Sequence, residues 1–263
     1  MDFEIIDFHT HPFIERENNI CNYADSYSMG VDETRELFLT LGVSKICGSV
    51  VCGHHADDKS PWDKVKRNND TALKLRDIYG DFYVPGFHVH PDFIEESLEE
   101  IHRMKSLGVN LIGEIVPYID GWNNYARPEF SRLLDEAEKY EMVVSLHSVT
   151  EEEDEMDELV RRHKNLTIVA AHPGEHYNFM RHLDRMNISE NYYVDLSGYG
   201  MFRHAMLRYG IDRFGAERFL FGSDYPTCNP GMYIGGVLLD TLITDEEKEK
   251  IFSLNAKRLL GLK

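Results

Sequence analysis

The sequence contains few cysteines, few basic residues and no long apolar run. Its four cysteines among 263 residues form no CxxC pair, so we expect reduced thiols in a cytoplasmic protein. No stretch of 18 consecutive apolar residues occurs, which predicts a chain without a membrane-spanning helix. The opening MDFEIIDFH is acidic and lacks a basic segment followed by a long apolar one, so we expect no signal peptide.

Basic residues are outnumbered by acidic ones. The 28 lysines and arginines face 46 aspartates and glutamates, which gives a net charge of −18. A surface of this charge repels phosphate backbones and argues against nucleic acid as a partner. Signatures for a P-loop, a serine nucleophile (GxSxG) and HExxH are also missing, and GYG at 198–200 lacks the third glycine of a dinucleotide site. We therefore expect a small-molecule substrate.

Short apolar runs alternate with longer amphipathic segments along the whole chain. The predicted strands are Glu4–Phe8, Lys45–Val51, Phe82–His88, Asn110–Ile115, Val143–His147, Thr167–Ala171, Tyr192–Leu196 and Phe219–Gly222. The predicted helices are Asp32–Leu41, Trp62–Tyr79, Phe93–Leu107, Pro128–Tyr140, Glu151–His163, Glu175–Met186, Phe202–Arg208 and Asp245–Leu260. Eight strands with intervening helices favour a (β/α)8 TIM barrel over a doubly wound open sheet. Without a break in composition, residues 1–263 are expected to form one domain.

Residues of the types that bind metals follow the apolar strands. His9 and His11, in DFHTHPF, are two apart and therefore point to the same side of an extended chain. His147 lies in VVSLHS, His172 in IVAAHPG and Asp224 in FLFGSDYP. For any one of them, a hydrogen-bonded loop residue explains the pattern equally well. The C-terminal ends of the strands of a barrel meet at one mouth, so all five residues would lie close together there. Five such side chains together favour a site for zinc or a similar divalent metal.

These motifs resemble the amidohydrolase superfamily, and within it the amidohydrolase-related branch of metal-dependent hydrolases, which includes decarboxylases. HTH, SLH, AHPG and FGSDYP carry the resemblance, and LITDEEKEKIFSLNAKRLLGLK is similar to that branch's closing helix. The resemblance implies a (β/α)8 barrel with one or two divalent ions, zinc or alternatively manganese. It matches His9, His11, His147 and Asp224 to metal ligands. His172 matches a second-metal ligand in some branches and a substrate contact in others.

The fourth strand departs from a common pattern of the superfamily. Many two-metal members carry a metal-bridging lysine there, whereas this sequence has Glu114, in LIGEIVPY. A deoxyribonuclease-like branch is similar in placing a bridging glutamate in a GEI context. Glu114 is therefore expected to bridge two ions or, alternatively, to orient a ligand histidine.

The implied reaction is hydrolysis of an amide, ester or lactone by a metal-activated water. Asp224 would transfer the proton, and His172 would stabilise the oxyanion if it is not a ligand. Non-oxidative decarboxylation is the alternative. Phosphoester hydrolysis is a less favoured alternative that the context of Glu114 keeps open, although the net charge disfavours nucleic acid as the substrate. The shuttle-type Asp224 argues against a protein that only binds metal.

Three long irregular segments, Pro12–Gly30, Gly53–Pro61 and Pro117–Arg127, follow predicted strands and would build the pocket. Residues in loops after strands are predicted to contact the substrate: His54, His88, His90, Tyr118 and Arg203. Alternatively, His88 and His90 are buried, hydrogen-bonded histidines. Arg203 is alternatively a solvated arginine on the surface. A homo-oligomer is suggested only by analogy with other barrels.

Overall fold

The computed structural model describes residues 3–14, 29–148, 153–200 and 203–263. Eight parallel strands form one sheet in the order β1 to β8, each paired with the next along the chain. The strands are β1 Ile5–Asp7, β2 Val43–Gly48, β3 Tyr83–Phe87, β4 Leu111–Ile115, β5 Val143–His147, β6 Thr167–Ala171, β7 Tyr192–Asp195 and β8 Phe219–Leu220.

Backbone hydrogen bonds join the chain after β8 to the chain after β1. The N–H of Phe8 donates to the carbonyl of Phe221 at 2.9 Å, and the N–H of Asp224 donates to the carbonyl of His9 at 2.9 Å. The N–H of His11 donates to the carbonyl of Tyr225 at 2.7 Å. These bonds close the sheet, and the prediction of a (β/α)8 barrel is confirmed.

Helices alternate with the strands. They are α1 Val31–Thr40, α2 Pro61–Tyr79, α3 Ile94–Ser106, α4 Pro117–Asp120, α5 Pro128–Lys139, α6 Glu153–Arg162, α7 His176–Ile188, α8 Met206–Phe214, α9 Pro230–Leu238, α10 Asp245–Glu249 and α11 Asn255–Leu260. A π-helical turn, Lys250–Leu254, joins the last two. Within the described residues, no helix is long and apolar enough to cross a membrane.

Two apolar clusters hold the barrel together. Side chains such as Ile6, Leu111 and Val169 form one cluster with Ala256 and Leu260 of α11. The larger cluster contains alternate strand residues and the inward faces of the surrounding helices. Because the strands are apolar on both faces, they appear in the sequence as continuous apolar runs.

The predicted elements agree with the structure except at a few places. The predicted helix starts Glu151 and Phe202 lie outside the described residues, as does Cys21, and α8 extends to Phe214 rather than Arg208. The last predicted helix is divided by the π-helical turn. Two helices were missed, α4 and α9. Each begins at a proline, and α4 is only four residues long while α9 contains three glycines, so neither has clear helical periodicity.

Candidate metal centre

Six of the predicted residues meet at the C-terminal ends of the strands. His9 and His11 follow β1, Glu114 lies in β4, and His147 ends β5. His172 follows β6 and Asp224 follows β8, and both have left-handed backbone conformations, with φ of 70° and 60°. All six side chains are buried or nearly so. Their donor atoms form two groups of three, His9 with His11 and Asp224, and Glu114 with His147 and His172. Within each group the atoms lie within 4.8 Å of one another, a spacing that is compatible with metal coordination.

The first group lies beside one oxygen of Glu114. His9 Nε2 lies 3.0 Å from His11 Nε2. Glu114 Oε2 lies 3.3 Å from the first nitrogen and 3.2 Å from the second, and Asp224 Oδ1 lies 3.7 Å and 3.5 Å from them. Ligands at about 2.0–2.1 Å around a tetrahedral zinc ion are about 3.3 Å apart. The spacing of His9, His11 and Asp224 therefore fits one divalent ion, and one oxygen of Glu114 lies beside both of these imidazoles.

The second group contains the other oxygen of Glu114. Its Oε1 lies 2.9 Å from His147 Nδ1 and 3.3 Å from His172 Nε2. These two nitrogens are 3.1 Å apart. The two oxygens of one carboxylate thus face two separate pairs of imidazoles.

The hydrogen bonds on the far side of the rings indicate which nitrogens are unprotonated. His11 Nδ1 lies 3.0 Å from the carbonyl of Ser49, and His9 Nδ1 lies 2.9 Å from Asp195 Oδ2. Because both of these oxygens can only accept, each Nδ1 donates, and in a neutral imidazole Nε2 then presents a lone pair to the centre. Two such lone pairs 3.0 Å apart, beside the oxygen of Glu114, repel one another unless a positive charge, either a proton or a metal ion, lies between them. The donor set therefore fits a metal ion.

The charges at the centre oppose the effect of burial. Burial alone would raise the pKa of the Glu114 carboxyl, but the charges of His9 and His147 and hydrogen bonds from the imidazoles hold it well below its usual range. Burial lowers the pKa of His9, but Asp195 and Glu114 outweigh it, so that the pKa lies well above the usual value. The carboxylates therefore favour positive charge at this position.

A family model described as amidohydrolase matches residues 6–262 of the sequence. The chain belongs to the amidohydrolase family. This confirms the resemblance seen in the sequence and identifies the protein as an enzyme of a metal-dependent family. No curated protein sequence matches the chain.

The fold of this amidohydrolase is similar to those of three solved structures. One is 5-carboxyvanillate decarboxylase from Sphingomonas paucimobilis, with a TM-score of 0.75 at 15% identity over 100% of both chains. The second is a dihydroxybenzoic acid decarboxylase from a Polaromonas species, with bound manganese and an inhibitor (TM-score 0.72, 17% identity, 99% of this chain and 97% of that chain). The third is a probable 2-pyrone-4,6-dicarboxylic acid hydrolase from Acinetobacter baumannii (TM-score 0.69, 15% identity, 98% and 100%). At these identities the likeness shows the fold alone.

Two residues of the amidohydrolase centre were not assigned from the sequence. Asp195 ends β7 and Ser197 follows it, and both are fully buried. Burial opposes the charged form of Asp195, but the charge of His9 and its hydrogen bond outweigh burial and lower the pKa of the carboxyl. The i, i+2 spacing of Asp195 and Ser197 is that of His9 and His11, and was the available signal.

Two glycines, one of them in the FGSDYP motif, allow close packing behind the ligands. A Cβ added at Gly222 would lie 2.8 Å from His9 Cβ. A Cβ added at Gly198, where φ is +58°, would lie 2.2 Å from His172 Nδ1. Side chains at either position would therefore displace an imidazole.

Among the predicted substrate contacts, Tyr118 lies beside the centre. Its side chain is 62% exposed, and its ring meets the His147 ring edge to face, with centroids 5.5 Å apart. His54 is exposed on its loop, with Nδ1 3.9 Å from Asp58 Oδ2. Arg203 is half-exposed and pairs with Glu175.

His88 and His90 are buried in the wall of the barrel. His88 Nε2 donates to the carbonyl of Val50 at 3.1 Å, and His90 Nε2 donates to the carbonyl of Asp120 at 3.0 Å. Burial lowers the pKa of both imidazoles. This geometry matches the interpretation of His88 and His90 as buried, hydrogen-bonded histidines.

Proposed function

We propose that the protein is a hydrolase of small organic substrates, namely amides, esters or lactones, and that residues 1–263 form one catalytic domain. The observation that carries the proposal is the position of Glu114, whose two oxygens each face a separate pair of imidazoles. In this proposal Glu114 would help to hold two divalent ions, one with each oxygen. Imidazole and carboxylate donors suit zinc, and manganese is the alternative.

The bound ions would lower the pKa of a water molecule and polarise a substrate oxygen. Asp224 would accept the proton of the attacking water and return it to the leaving group. Its Oδ1 lies 3.7 Å from His9 Nε2 and 3.5 Å from His11 Nε2, so the carboxylate borders the first group. His172 is proposed as a ligand of the second group. If only one ion is bound, its Nε2 would instead be available to stabilise an oxyanion.

Tyr118 is proposed to contact the substrate. Its ring meets the imidazole of His147 while most of its surface is exposed. A substrate that reaches the second group would therefore pass this ring. The remaining predicted contacts, His54, His88, His90 and Arg203, stay predictions, with His88 and His90 supported less because they are buried.

Decarboxylation is the second candidate function. Two of the similar folds described above are decarboxylases of aromatic acids. In such a reaction the protein has to hold the oxygens of the substrate, and no water has to attack. One metal group would then suffice, so the number of bound ions helps to separate the two candidates.

Metal content measured by plasma mass spectrometry tests the proposal. The wild-type protein, purified without chelator, is compared with His9→Ala/His11→Ala. The double variant His54→Ala/His55→Ala is a matched control, because it removes two adjacent histidines that are exposed. We expect about two equivalents in the wild type and in the control, and a loss of metal in His9→Ala/His11→Ala.

Turnover by the metal-loaded wild type completes the test. Amides, esters and lactones are compared with aromatic and unsaturated carboxylic acids, and the release of carbon dioxide is measured. Hydrolysis with two equivalents supports the proposal. One equivalent with release of carbon dioxide supports the decarboxylase instead. A wild type that stays metal-free after incubation with zinc and manganese contradicts both.

A further inference from the structure

Ser197 connects histidines from the two groups of the centre. Its Oγ lies 2.9 Å from His9 Nδ1 and 3.1 Å from His172 Nδ1, and its hydroxyl donates to Asp195 Oδ1. The side chain is fully buried. One hydroxyl therefore contacts an imidazole of each group, on the edge of the ring that faces away from Glu114.

The donors and acceptors at this hydroxyl allow one consistent arrangement. A serine hydroxyl has one proton to donate and two lone pairs that accept. Its proton goes to Asp195, because a carboxylate only accepts. The His172 imidazole then has to donate its Nδ1–H to the Ser197 oxygen, and His9 shares its Nδ1–H between this oxygen and Asp195 Oδ2. When neutral, both rings are thereby held with an unprotonated Nε2 directed at the centre.

The two histidines depend on Ser197 to different degrees. His9 Nδ1 has a second acceptor, Asp195 Oδ2, at 2.9 Å. His172 Nδ1 meets the hydroxyl of Ser197, and its ring stacks on that of His9 with centroids 5.3 Å apart. Loss of the hydroxyl would thus leave His9 oriented by Asp195 but remove the acceptor that orients His172.

We propose that Ser197 is a positioning residue that holds His9 and His172 together, each with Nε2 presented to a different group of the centre. The proposal rests on the proposed function in assigning one ion to each group. It predicts an unequal effect of Ser197→Ala. The second ion should bind about 10–100-fold more weakly, which is the effect typical of removing a partner that orients a ligand. The first ion should bind as in the wild type.

The first test is a titration of the chelator-stripped protein with Zn²⁺ against a competing indicator. Ser253→Ala is the matched control, because Ser253 is also buried but lies in the π-helical turn, where its hydroxyl donates to the carbonyl of Glu249 at 3.3 Å. We expect the control to bind two ions like the wild type. Two ions bound by Ser197→Ala with wild-type affinities would overturn the proposal, and so would an equal loss of both.

A second test needs neither metal nor turnover. Nitrogen-15 NMR of the metal-free wild type, recorded at alkaline pH where the imidazoles are neutral, distinguishes an imidazole protonated at Nδ1 from one protonated at Nε2, and a His172→Gln spectrum assigns the signals. We expect His172 to be protonated at Nδ1 in the wild type and to lose this single form in Ser197→Ala. A wild-type His172 protonated at Nε2 overturns the proposal. If the wild type binds only one ion, the two-ion assignment fails, while the NMR result still decides the role of Ser197.

Discussion

A buried ion pair beside the centre gives a prediction whose size follows from the structure. Lys64 Nζ lies 2.8 Å from Asp120 Oδ1 and donates to the carbonyl of Ile119 at 2.6 Å. Lys64 is 0% exposed and Asp120 is 3% exposed. Both acceptors belong to the short helix α4, which also carries Tyr118. The ion pair therefore holds the segment that places this ring beside His147.

Replacing Lys64 by methionine keeps most of the volume but leaves the Asp120 carboxylate buried without its partner. Breaking a buried pair in this way costs about 3–5 kcal/mol of unfolding free energy. At about 2–4 °C per kcal/mol for chains of roughly this size, the melting temperature should fall by about 6–20 °C. Lys64→Met/Asp120→Leu removes both charges and should recover most of the loss.

The stability deficit of Lys64→Met should also depend on pH. His88 Nδ1 lies 3.6 Å from Asp120 Oδ2. Burial lowers the pKa of His88, the charge of Asp120 raises it, and the charge of Lys64 lowers it further. Removing Lys64 therefore raises the pKa of His88 in the folded state. The folded variant therefore takes up a proton at His88 more readily than the folded wild type, so a fall in pH destabilises the variant less than the wild type. The deficit should thus be smaller at about pH 5.5 than at about pH 8.

Thermal unfolding followed by circular dichroism, with and without added zinc, measures these effects. Lys66→Met is the matched control on the same helix, because Lys66 is 50% exposed and its partner, Asp70, lies 3.6 Å away. Exposed i, i+4 pairs contribute about 0.3–0.5 kcal/mol, so this variant should melt within about 2 °C of the wild type. If Lys64→Met is no less stable than Lys66→Met, or if the double variant is no better than the single one, the reasoning is refuted.

Three further substitutions test the centre itself. Glu114→Gln leaves one oxygen where two are needed, so plasma mass spectrometry should find one equivalent of metal or none, and two retained equivalents would contradict the bridge. Gly222→Ala places a Cβ 2.8 Å from His9 Cβ and should weaken zinc binding and cost about 1–3 kcal/mol in stability. Gly235→Ala, whose Cβ would meet no other described residue within 4 Å, should leave zinc binding unchanged. Asp224→Asn should reduce turnover by orders of magnitude with an unchanged circular dichroism spectrum, and an active variant would exclude proton transfer by Asp224.

The fold and most of the centre could be predicted because they follow from local patterns. Strands that are apolar on both faces appear as short continuous runs, and parallel strands in a barrel bring their C-terminal ends together. His9, His147 and His172 follow three such runs, so they could be placed at one mouth without any knowledge of their contacts.

The same patterns could not separate His88 and His90 from His9 and His11. Both pairs have the HxH spacing after a strand. What differs is that a residue of helix α2, Asn69, contacts the backbone of His88. The side-chain oxygen of Asn69 accepts from the N–H of His88 at 2.8 Å, and the side-chain amide of Asn69 donates to the carbonyl of His88 at 3.0 Å. Contacts of this kind join residues that are distant in sequence, and no local pattern indicates them.

The second group of donors also bears on the reaction. A decarboxylase has to hold substrate oxygens, and His9, His11 and Asp224 with one oxygen of Glu114 offer sufficient donors for one ion. The other oxygen of Glu114 nevertheless faces His147 and His172 at 2.9 and 3.3 Å. A second ion would supply further positive charge for an attacking water and a leaving oxygen, which assists hydrolysis and is not needed for decarboxylation. The geometry around Glu114 is therefore the observation on which our proposal of hydrolysis rests, and a single bound ion would remove that support.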